Sequence, residues 1–220
     1  MSSNKKIIKL LLDKSGSMGE YHMFESLIEG SNSLLLEQKQ FSEDTNTELI
    51  VEIYTFNNTL SKLRSGNVTS IKSISKEEVE PRGGTALNDS LAEILNEGKD
   101  EENVLLFIFT DGQENSSTQY RGESGRKYCK SLIEMYSRDK NWTVVFGAAN
   151  IDAYKTSSDY GIDVNNVFNV DDTSAPSMVR MMRGISSAIK ESQESGQQVD
   201  ITPVRTASET PHPKRFKSGH

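Results

Sequence analysis

Oxygen-bearing side chains alternate in a short segment near the start of the chain. Asp13, Ser15 and Ser17 occupy alternate positions directly after residues 7–12, an apolar run typical of a buried strand. A turn at this point would bring one carboxylate and two hydroxyls close together. Oxygen ligands of mixed charge suit Mg²⁺ or Ca²⁺, whereas zinc and copper favour softer ligands. The segment therefore indicates a site for a hard cation.

Two further polar segments complete the outline of this site. Gly-Gly-Thr at residues 83–85 lies just before a predicted helix, and Thr-Asp-Gly at residues 110–112 follows the strongest predicted strand, residues 104–109. Ser15 and Ser17 could instead only satisfy backbone groups in a strand-to-helix turn, and the residues alone leave that alternative open.

Predicted strands and helices alternate along the chain. Strand patterns occur at residues 7–12, 49–56, 59–63, 104–109, 142–146 and 167–170. Apolar stripes at helical spacing lie between most of these segments, and a methionine-rich stripe follows the last one. The alternation predicts an α/β fold with a doubly wound, mostly parallel, six-stranded, Rossmann-like sheet and helices on both faces.

One strand of this sheet is expected to run antiparallel. Asn57 and Asn58 can adopt the positive φ angles of a two-residue turn, so residues 59–63 would return along residues 49–56 as an edge strand. In the common strand order 3-2-1-4-5-6, ligands bind at the carboxyl ends of the strands where the order reverses. Asp13 and Asp111 would be neighbours at that point.

The composition indicates an acidic globular chain. Its 220 residues carry a formal net charge of −7, with 34% hydrophobic and 26% charged residues. A nucleic-acid-binding domain needs a clustered basic face, so this charge argues against that class. No apolar run approaches the length of a membrane span, and the single cysteine, Cys129, cannot form an intramolecular disulfide. We therefore expect no membrane segment and a cytoplasmic location.

We predict one domain over residues 1–195 and a disordered tail over residues 196–220. The length suffices for one sizeable core. From the end of the last helical stripe onward, Ser, Gln, Thr, Pro and charged residues replace the apolar periodicity. The tail contains a short basic cluster around residues 214–217, which we expect to be solvated.

Taken together, the three polar segments resemble the metal-ion-dependent adhesion site of von Willebrand factor type A domains. The resemblance covers roughly residues 5–192 and rests on Asp-x-Ser-x-Ser, a distant Gly-Gly-Thr, and Thr-Asp-Gly after a central strand. It implies Ser15, Ser17 and Thr85 as hydroxyl ligands, and Asp13 and Asp111 as ligands that bind directly or through water. The implied ion is Mg²⁺, with Mn²⁺ or Ca²⁺ as alternatives.

This resemblance also implies a function. Two carboxylates leave a divalent ion incompletely neutralised, and an Asp or Glu of a partner protein could complete its coordination. We therefore expect a protein-binding module without enzymatic activity. An adaptor for a ring-forming AAA+ ATPase, the role of some intracellular members of the family, is one alternative. A Mg²⁺-dependent hydrolase is the alternative from another class, although no Lys or His is placed by motif to support Asp13 as a nucleophile.

The sign of the charge around the predicted site is open, because its loops carry both acidic and basic residues: Arg82, Arg121, Arg126, Glu20, Glu80, Glu114 and Glu123. Asp89 could orient the site or interact only with a helix dipole. We expect His22 to be solvated rather than a ligand, and Cys129 and the methionine-rich stripe to belong to the core.

Overall fold

The computed structural model describes residues 6–171 and 173–202. Within these ranges the strands are β1 (Lys6–Asp13), β2 (Leu49–Phe56), β3 (Leu60–Asn67), β4 (Val104–Thr110), β5 (Thr143–Ala148) and β6 (Val167–Asn169). The α-helices are α1 (Met23–Thr45), α2 (Leu87–Glu97), α3 (Gly122–Asp139), α4 (Ala153–Asp159) and α5 (Ala175–Ser195). Short 3₁₀ segments lie at Gly16–His22, Val68–Ser70, Lys76–Glu78 and Val164–Asn166.

The six strands form one sheet in the order β3-β2-β1-β4-β5-β6. Only the β2–β3 pair is antiparallel, and the other four pairs are parallel. Every residue of β4 is buried, as a central strand covered on both faces requires. The predicted doubly wound, mostly parallel sheet with an antiparallel edge strand is confirmed, and the reversal of strand order falls between β1 and β4.

Helices cover both faces of the sheet. One core contains the apolar side chains of α1 and α5, and the other contains those of α2, α3 and α4. A Cβ atom on Gly30 of α1 would lie 2.8 Å from the carbonyl oxygen of Met178, so only glycine permits this close approach of α1 to α5. Met178 and Met182 are fully buried, which confirms the methionine-rich stripe as core.

A buried lysine interrupts the apolar pattern of β1. Lys9 is 1% exposed and forms ion pairs with Glu52 of β2 and with Glu101, whose carboxylate lies 2.9 Å away. The hydroxyl of Tyr54 donates a hydrogen bond of 2.7 Å to Glu52. Because a buried charge is tolerated when it is paired, this network explains how a central strand accommodates a lysine.

The turn between β2 and β3 differs from the prediction. Neither Asn57 nor Asn58 has a positive φ, and Phe56 pairs with Leu60, so the turn contains three residues rather than two. The Asn57 side chain takes part in the turn, accepting a hydrogen bond from the backbone N–H of Thr59 at 3.3 Å. It also donates to the carbonyl of Arg82 at 2.8 Å, which ties the turn to the loop that precedes α2.

The first seven residues of the predicted tail lie within the described part of the chain. Residues 196–202, which we call the C-terminal strap, pack against the body of the fold. Ile201 is fully buried in the α1–α5 core, and Val199 packs against the same core. Ser192 accepts a hydrogen bond from Lys6 and donates one to the carbonyl of Gln197. The polar composition concealed these two apolar anchors. The remainder of the predicted tail, residues 203–220, lies outside the described residues.

None of the helices in the described ranges is long and apolar enough to cross a membrane. Cys129 of α3 is fully buried, and burial raises the pKa of its thiol to about 12. The thiol lies 3.6 Å from the carbonyl oxygen of Asn88. The burial confirms that Cys129 belongs to the core.

Candidate metal centre

The chain turns sharply where β1 ends. The backbone N–H of Ser15 donates a hydrogen bond of 2.7 Å to Oδ1 of Asp13, so the carboxylate stabilises the turn that follows it. The N–H of Gly16 donates to the carbonyl of Gly83 at 3.0 Å. The first polar segment is therefore joined directly to the Gly-Gly-Thr segment, although some seventy residues separate them in the sequence.

Side chains of the segments that follow β1 and β4 meet at the carboxyl edge of the sheet. The hydroxyl oxygens of Ser15 and Ser17 are 3.3 Å apart. Ser17 donates a hydrogen bond of 2.8 Å to Oδ1 of Asp111, across 94 positions of sequence. This contact follows from the neighbouring positions of β1 and β4 in the sheet.

Thr85 is held on the same side of the site by the loop after β4. Its backbone N–H donates to the side-chain oxygen of Asn115 at 2.9 Å, and its carbonyl accepts from the N–H of Asn115 at 3.0 Å. A Cβ atom on Gly112 would lie 3.0 Å from Oγ1 of Thr85 and 3.8 Å from Oγ of Ser17. Glycine at position 112 therefore leaves space between the two hydroxyls.

Thr110, the first residue of the Thr-Asp-Gly segment, has a role in this site that the sequence analysis did not assign. Its hydroxyl donates a hydrogen bond of 2.6 Å to Oδ2 of Asp13 and accepts one of 3.2 Å from the N–H of Gly112. Because the backbone N–H of Ser15 donates to Oδ1, both oxygens of the Asp13 carboxylate accept a hydrogen bond. Thr110 thus fixes the orientation of Asp13 and the start of the Thr-Asp-Gly turn.

The two carboxylates of the site are buried without a basic partner. Asp13 is fully buried, and burial raises its pKa to about 6, although hydrogen bonds from Thr110 and Ser15 oppose the shift. Burial also raises the pKa of Asp111, and the negative charge of Glu20 adds to this effect. Among the described residues, no Lys, Arg or His forms an ion pair with either carboxylate.

These features fit a hard divalent cation. A cation would offset the cost of burying two like charges, and the donor set contains only oxygen. The described part of the chain contains no group of three or more His, Cys, Asp and Glu side chains arranged to hold a metal. Coordination at this site would therefore depend on the hydroxyls of Ser15, Ser17 and Thr85 as well as on the carboxylates. The space beside Gly112 is consistent with that arrangement.

Two further carboxylates fasten the loop after β4 to the start of α2. Asp89 accepts hydrogen bonds from the backbone N–H groups of Thr118, Gln119 and Tyr120 at 2.6 to 3.2 Å. Glu114 accepts from the N–H of Asn88 at 2.7 Å. Asp89 therefore organises the loop that holds Thr85, which agrees with the interpretation that it orients the site rather than only interacting with a helix dipole.

Glu114 also forms hydrogen bonds within the loop after β4. It accepts hydrogen bonds from the N–H groups of Ser116 and Ser117 at 3.1 and 2.8 Å. Its charge is consequently directed into the loop and does not contribute to an acidic rim.

Of the three arginines considered for the rim, Arg82 and Arg121 are exposed, and Arg126 is half-buried. Arg121 donates to the carbonyl of Thr118, and Arg126 lies 3.7 Å from Asp159. The Arg82 side chain is 76% exposed, with Glu80 only at 3.8 Å. The backbone N–H of Arg82 donates a hydrogen bond of 2.8 Å to the backbone carbonyl of Lys14, so a second basic residue lies beside Arg82.

His22 lies close to the metal segment in sequence but points away into solvent. Its side chain is 82% exposed and pairs with Glu25 on the first turn of α1. The expectation that His22 is solvated is confirmed.

Comparison with known proteins supports the fold. No family model and no curated protein matches this chain. Among solved structures, it is similar to a von Willebrand factor type A protein from Catenulispora acidiphila, with 14% identity and a TM-score of 0.60 over 84% of this chain and 42% of that one. The ArnB paralog VWA2 from Sulfolobus acidocaldarius shares 15% identity, with a TM-score of 0.53 over 84% of this chain and 45% of that protein.

A third similar structure is the pilus adhesin SpaC from Lactobacillus rhamnosus GG, with 11% identity and a TM-score of 0.62 over 86% of this chain and 31% of that one. The chain thus spans less than half the length of each of these three proteins. At this level of identity the similarity establishes architecture rather than activity. The chain has the fold of von Willebrand factor type A domains, which confirms the fold that the polar segments implied.

Proposed function

We propose that this chain is a protein-binding module whose binding depends on Mg²⁺ and on an acidic residue of the partner. The observation that supports it most strongly is the pair of buried carboxylates, Asp13 and Asp111, which accept hydrogen bonds from the hydroxyls of Thr110 and Ser17 and form no ion pair with a basic residue in the described part of the chain. The proposed ligands remain Asp13, Ser15, Ser17, Thr85 and Asp111.

These residues would hold the ion in different ways. Two carboxylates supply the negative charge, and three neutral hydroxyls supply oxygen atoms without adding charge. Because the ligand charge is small, we expect modest affinity, with Mn²⁺ or Ca²⁺ as possible substitutes for Mg²⁺. When bound, the ion supplies a positive centre that an external carboxylate can complete.

The surroundings of the site favour an acidic partner. Arg82 is accessible and lies next to Lys14, whose pKa is lowered by burial and by the positive charge of Arg82. These two residues would attract a carboxylate toward the edge of the sheet at long range. The proposed partner is therefore a protein segment that presents Asp or Glu.

Binding is a better proposal than catalysis because Asp13 is not free to react. Ser15 and Thr110 donate hydrogen bonds to its two oxygens, which lowers the nucleophilicity of the carboxylate. His22 points into solvent and pairs with Glu25, so it is not placed as a base beside the site. We accordingly propose a non-enzymatic role. A cytoplasmic location is part of the same proposal and rests on the single, buried Cys129.

A calorimetric titration with Mg²⁺ tests the metal assignment. Asp111→Ala removes one of the two proposed carboxylate ligands, so we expect it to abolish measurable Mg²⁺ binding. Its circular dichroism spectrum should remain that of the wild type, because the change also removes a buried charge without a basic partner. Asp44→Ala, on the exposed surface of α1, is the matched control and should bind Mg²⁺ like the wild type. An Asp111→Ala variant that titrates Mg²⁺ normally would refute the assignment.

A further inference from the structure

Tyr21 stands out on the surface beside the candidate metal centre. Four large hydrophobic residues are exposed in the described part of the chain, namely Tyr21, Leu36, Met135 and Val164. Tyr21 is 87% exposed, the most of the four, and it alone lies on the 3₁₀ segment Gly16–His22 that carries Ser17. Leu36 and Met135 lie on the outer surfaces of α1 and α3, away from this segment.

The backbone holds Tyr21 in an unusual conformation. Tyr21 has φ 51° and His22 has φ 58°, so two successive residues adopt the left-handed region without being Gly, Asn or Asp. Neither side chain gains burial from this arrangement, since both are exposed. Such conformations persist where the surrounding structure determines them, and they concentrate at functional sites.

Buried residues on each side anchor this kink. Met18 lies three positions before Tyr21 and is fully buried, and Met23, two positions after it, is 1% exposed. Gly19 lies against Pro81 of the loop that leads to Arg82, since a Cβ atom on Gly19 would contact the proline ring at 3.5 Å. The aromatic ring therefore projects from a segment that is fixed at both ends, and binding to it would require little ordering.

The charges around the site indicate which part of a partner would contact the cation and which part would contact Tyr21. Glu20 precedes Tyr21 on the same 3₁₀ segment and is exposed, so the edge next to Tyr21 carries an acidic side chain. An acidic partner residue would be directed to the cation and toward Arg82. The flat, apolar ring of Tyr21 offers no charge, so it fits a neighbouring apolar side chain of the same partner segment.

We propose that Tyr21 is a specificity-determining residue and that it packs against an apolar side chain adjacent to the acidic residue of the partner. This inference rests on the proposed function, because it assigns the residue next to the metal-bound carboxylate. Exposed aromatic residues on rigid segments are common binding hot spots, and truncation of a hot spot weakens binding about tenfold or more.

A phage-displayed library tests this directly. The library contains linear peptides with one fixed central aspartate and random flanking residues, panned on the full chain in Mg²⁺ and eluted with chelator. We expect the enriched peptides to carry an apolar residue beside the aspartate. Their affinity for Tyr21→Ala should fall about tenfold or more, and Tyr21→Phe should retain it because the ring remains.

Control variants distinguish the possible outcomes. Leu36→Ala, another exposed apolar residue, should bind the peptides like the wild type, and all three variants should keep wild-type Mg²⁺ affinity and melting temperature. The loss in Tyr21→Ala should be equal at low and high salt, whereas an Arg82→Gln loss should diminish at high salt. If Mg²⁺-dependent peptides bound Tyr21→Ala and the wild type with equal affinity, this inference would be overturned and the proposed function would remain intact. The inference and the proposed function would both be overturned if no Mg²⁺-dependent peptide were recovered, or if the recovered peptides bound Asp111→Ala and the wild type with equal affinity.

Discussion

At the scale of single residues, the candidate centre depends on which groups hold the two carboxylates. Asp13 has both oxygens occupied by Ser15 and Thr110, whereas Asp111 receives a hydrogen bond from Ser17. Thr110 is not a proposed ligand, yet it orients one. In metal sites such supporting hydrogen bonds commonly contribute about ten- to a hundredfold to affinity.

Thr110→Val tests this supporting role. The change keeps the size and the β-branched shape of the side chain but removes the donor to Asp13. We expect the Mg²⁺ affinity to fall about tenfold, measured by calorimetry. Thr55→Val is a close control, because the hydroxyl of Thr55 is also buried in a strand but has no hydrogen-bond partner among the described residues. Equal Mg²⁺ affinities of the two variants would show that Thr110 does not position Asp13.

At the scale of elements, the loop between β4 and α3 connects the two halves of the site. It has little regular structure, but Asp89 at the start of α2 and Glu114 of the loop itself accept hydrogen bonds from the backbone N–H groups of residues 116–120. Asn115 of the same loop holds Thr85 on both its N–H and its carbonyl. The position of one hydroxyl therefore depends on a loop that is fastened to a helix by carboxylates.

Asp89→Asn should loosen this loop. Burial alone would raise the pKa of Asp89, but the N–H groups of Tyr120, Thr118 and Gln119 outweigh it and hold the pKa below its usual value. A carboxylate with a depressed pKa stabilises the fold above its unfolded pKa of about 3.9 and loses that contribution as the pH falls through the folded pKa. We expect Asp89→Asn to lower the free energy of unfolding by about 1 kcal/mol at neutral pH, since the group is partly exposed.

Urea unfolding of the wild type and of Asp89→Asn at a series of pH values measures this effect. The difference between them should shrink as the pH falls below about 4. Asp44→Asn changes an exposed carboxylate whose hydrogen bond among the described residues comes from Gln40 within α1, and it should show little difference at any pH. A gap between wild type and Asp89→Asn that grows in acid would contradict the assigned role.

At the scale of the whole molecule, the C-terminal strap closes the side of the fold opposite the candidate centre. The strap passes near the start of β1, where Lys6 contacts Ser192, and Ile201 enters the core between the sheet, α1 and α5. Part of the core is therefore formed by residues that follow α5. The candidate centre, at the carboxyl ends of the strands, does not contact the strap.

Two truncated chains measure the contribution of the strap. A chain that ends at residue 195 loses Ile201, whereas a chain that ends at residue 202 keeps it. Removal of a buried isoleucine side chain costs about 2 to 5 kcal/mol, so the shorter chain should melt roughly 5 °C or more below the longer one. Ile201→Ala in the full chain should reproduce much of the loss, and Mg²⁺ affinity should be similar in all of them. Equal melting temperatures of the two truncated chains would show that the strap is not part of the core.

The sequence by itself determined the architecture and predicted that Asp13 and Asp111 lie close together. Residues 104–109 are apolar on both faces, as expected for a central strand that is covered on both sides. Because β1 and β4 are neighbours, their carboxyl ends bring Asp13 and Asp111 to one edge of the sheet. These inferences succeed because strand periodicity is a local property that a short segment expresses on its own, whereas the turn after β2 differs from its local pattern.

Only the tertiary structure decided which polar groups support the site and where the core ends. The contact of Thr110 with Asp13, the acceptance of loop N–H groups by Asp89, and the burial of Ile201 join segments that are distant in sequence or separated by irregular backbone. Such hydrogen bonds and burial depend on the relative positions of whole elements and on the exclusion of water between them. No local pattern contains that information, because the same side chains would be solvated if their neighbouring elements lay elsewhere.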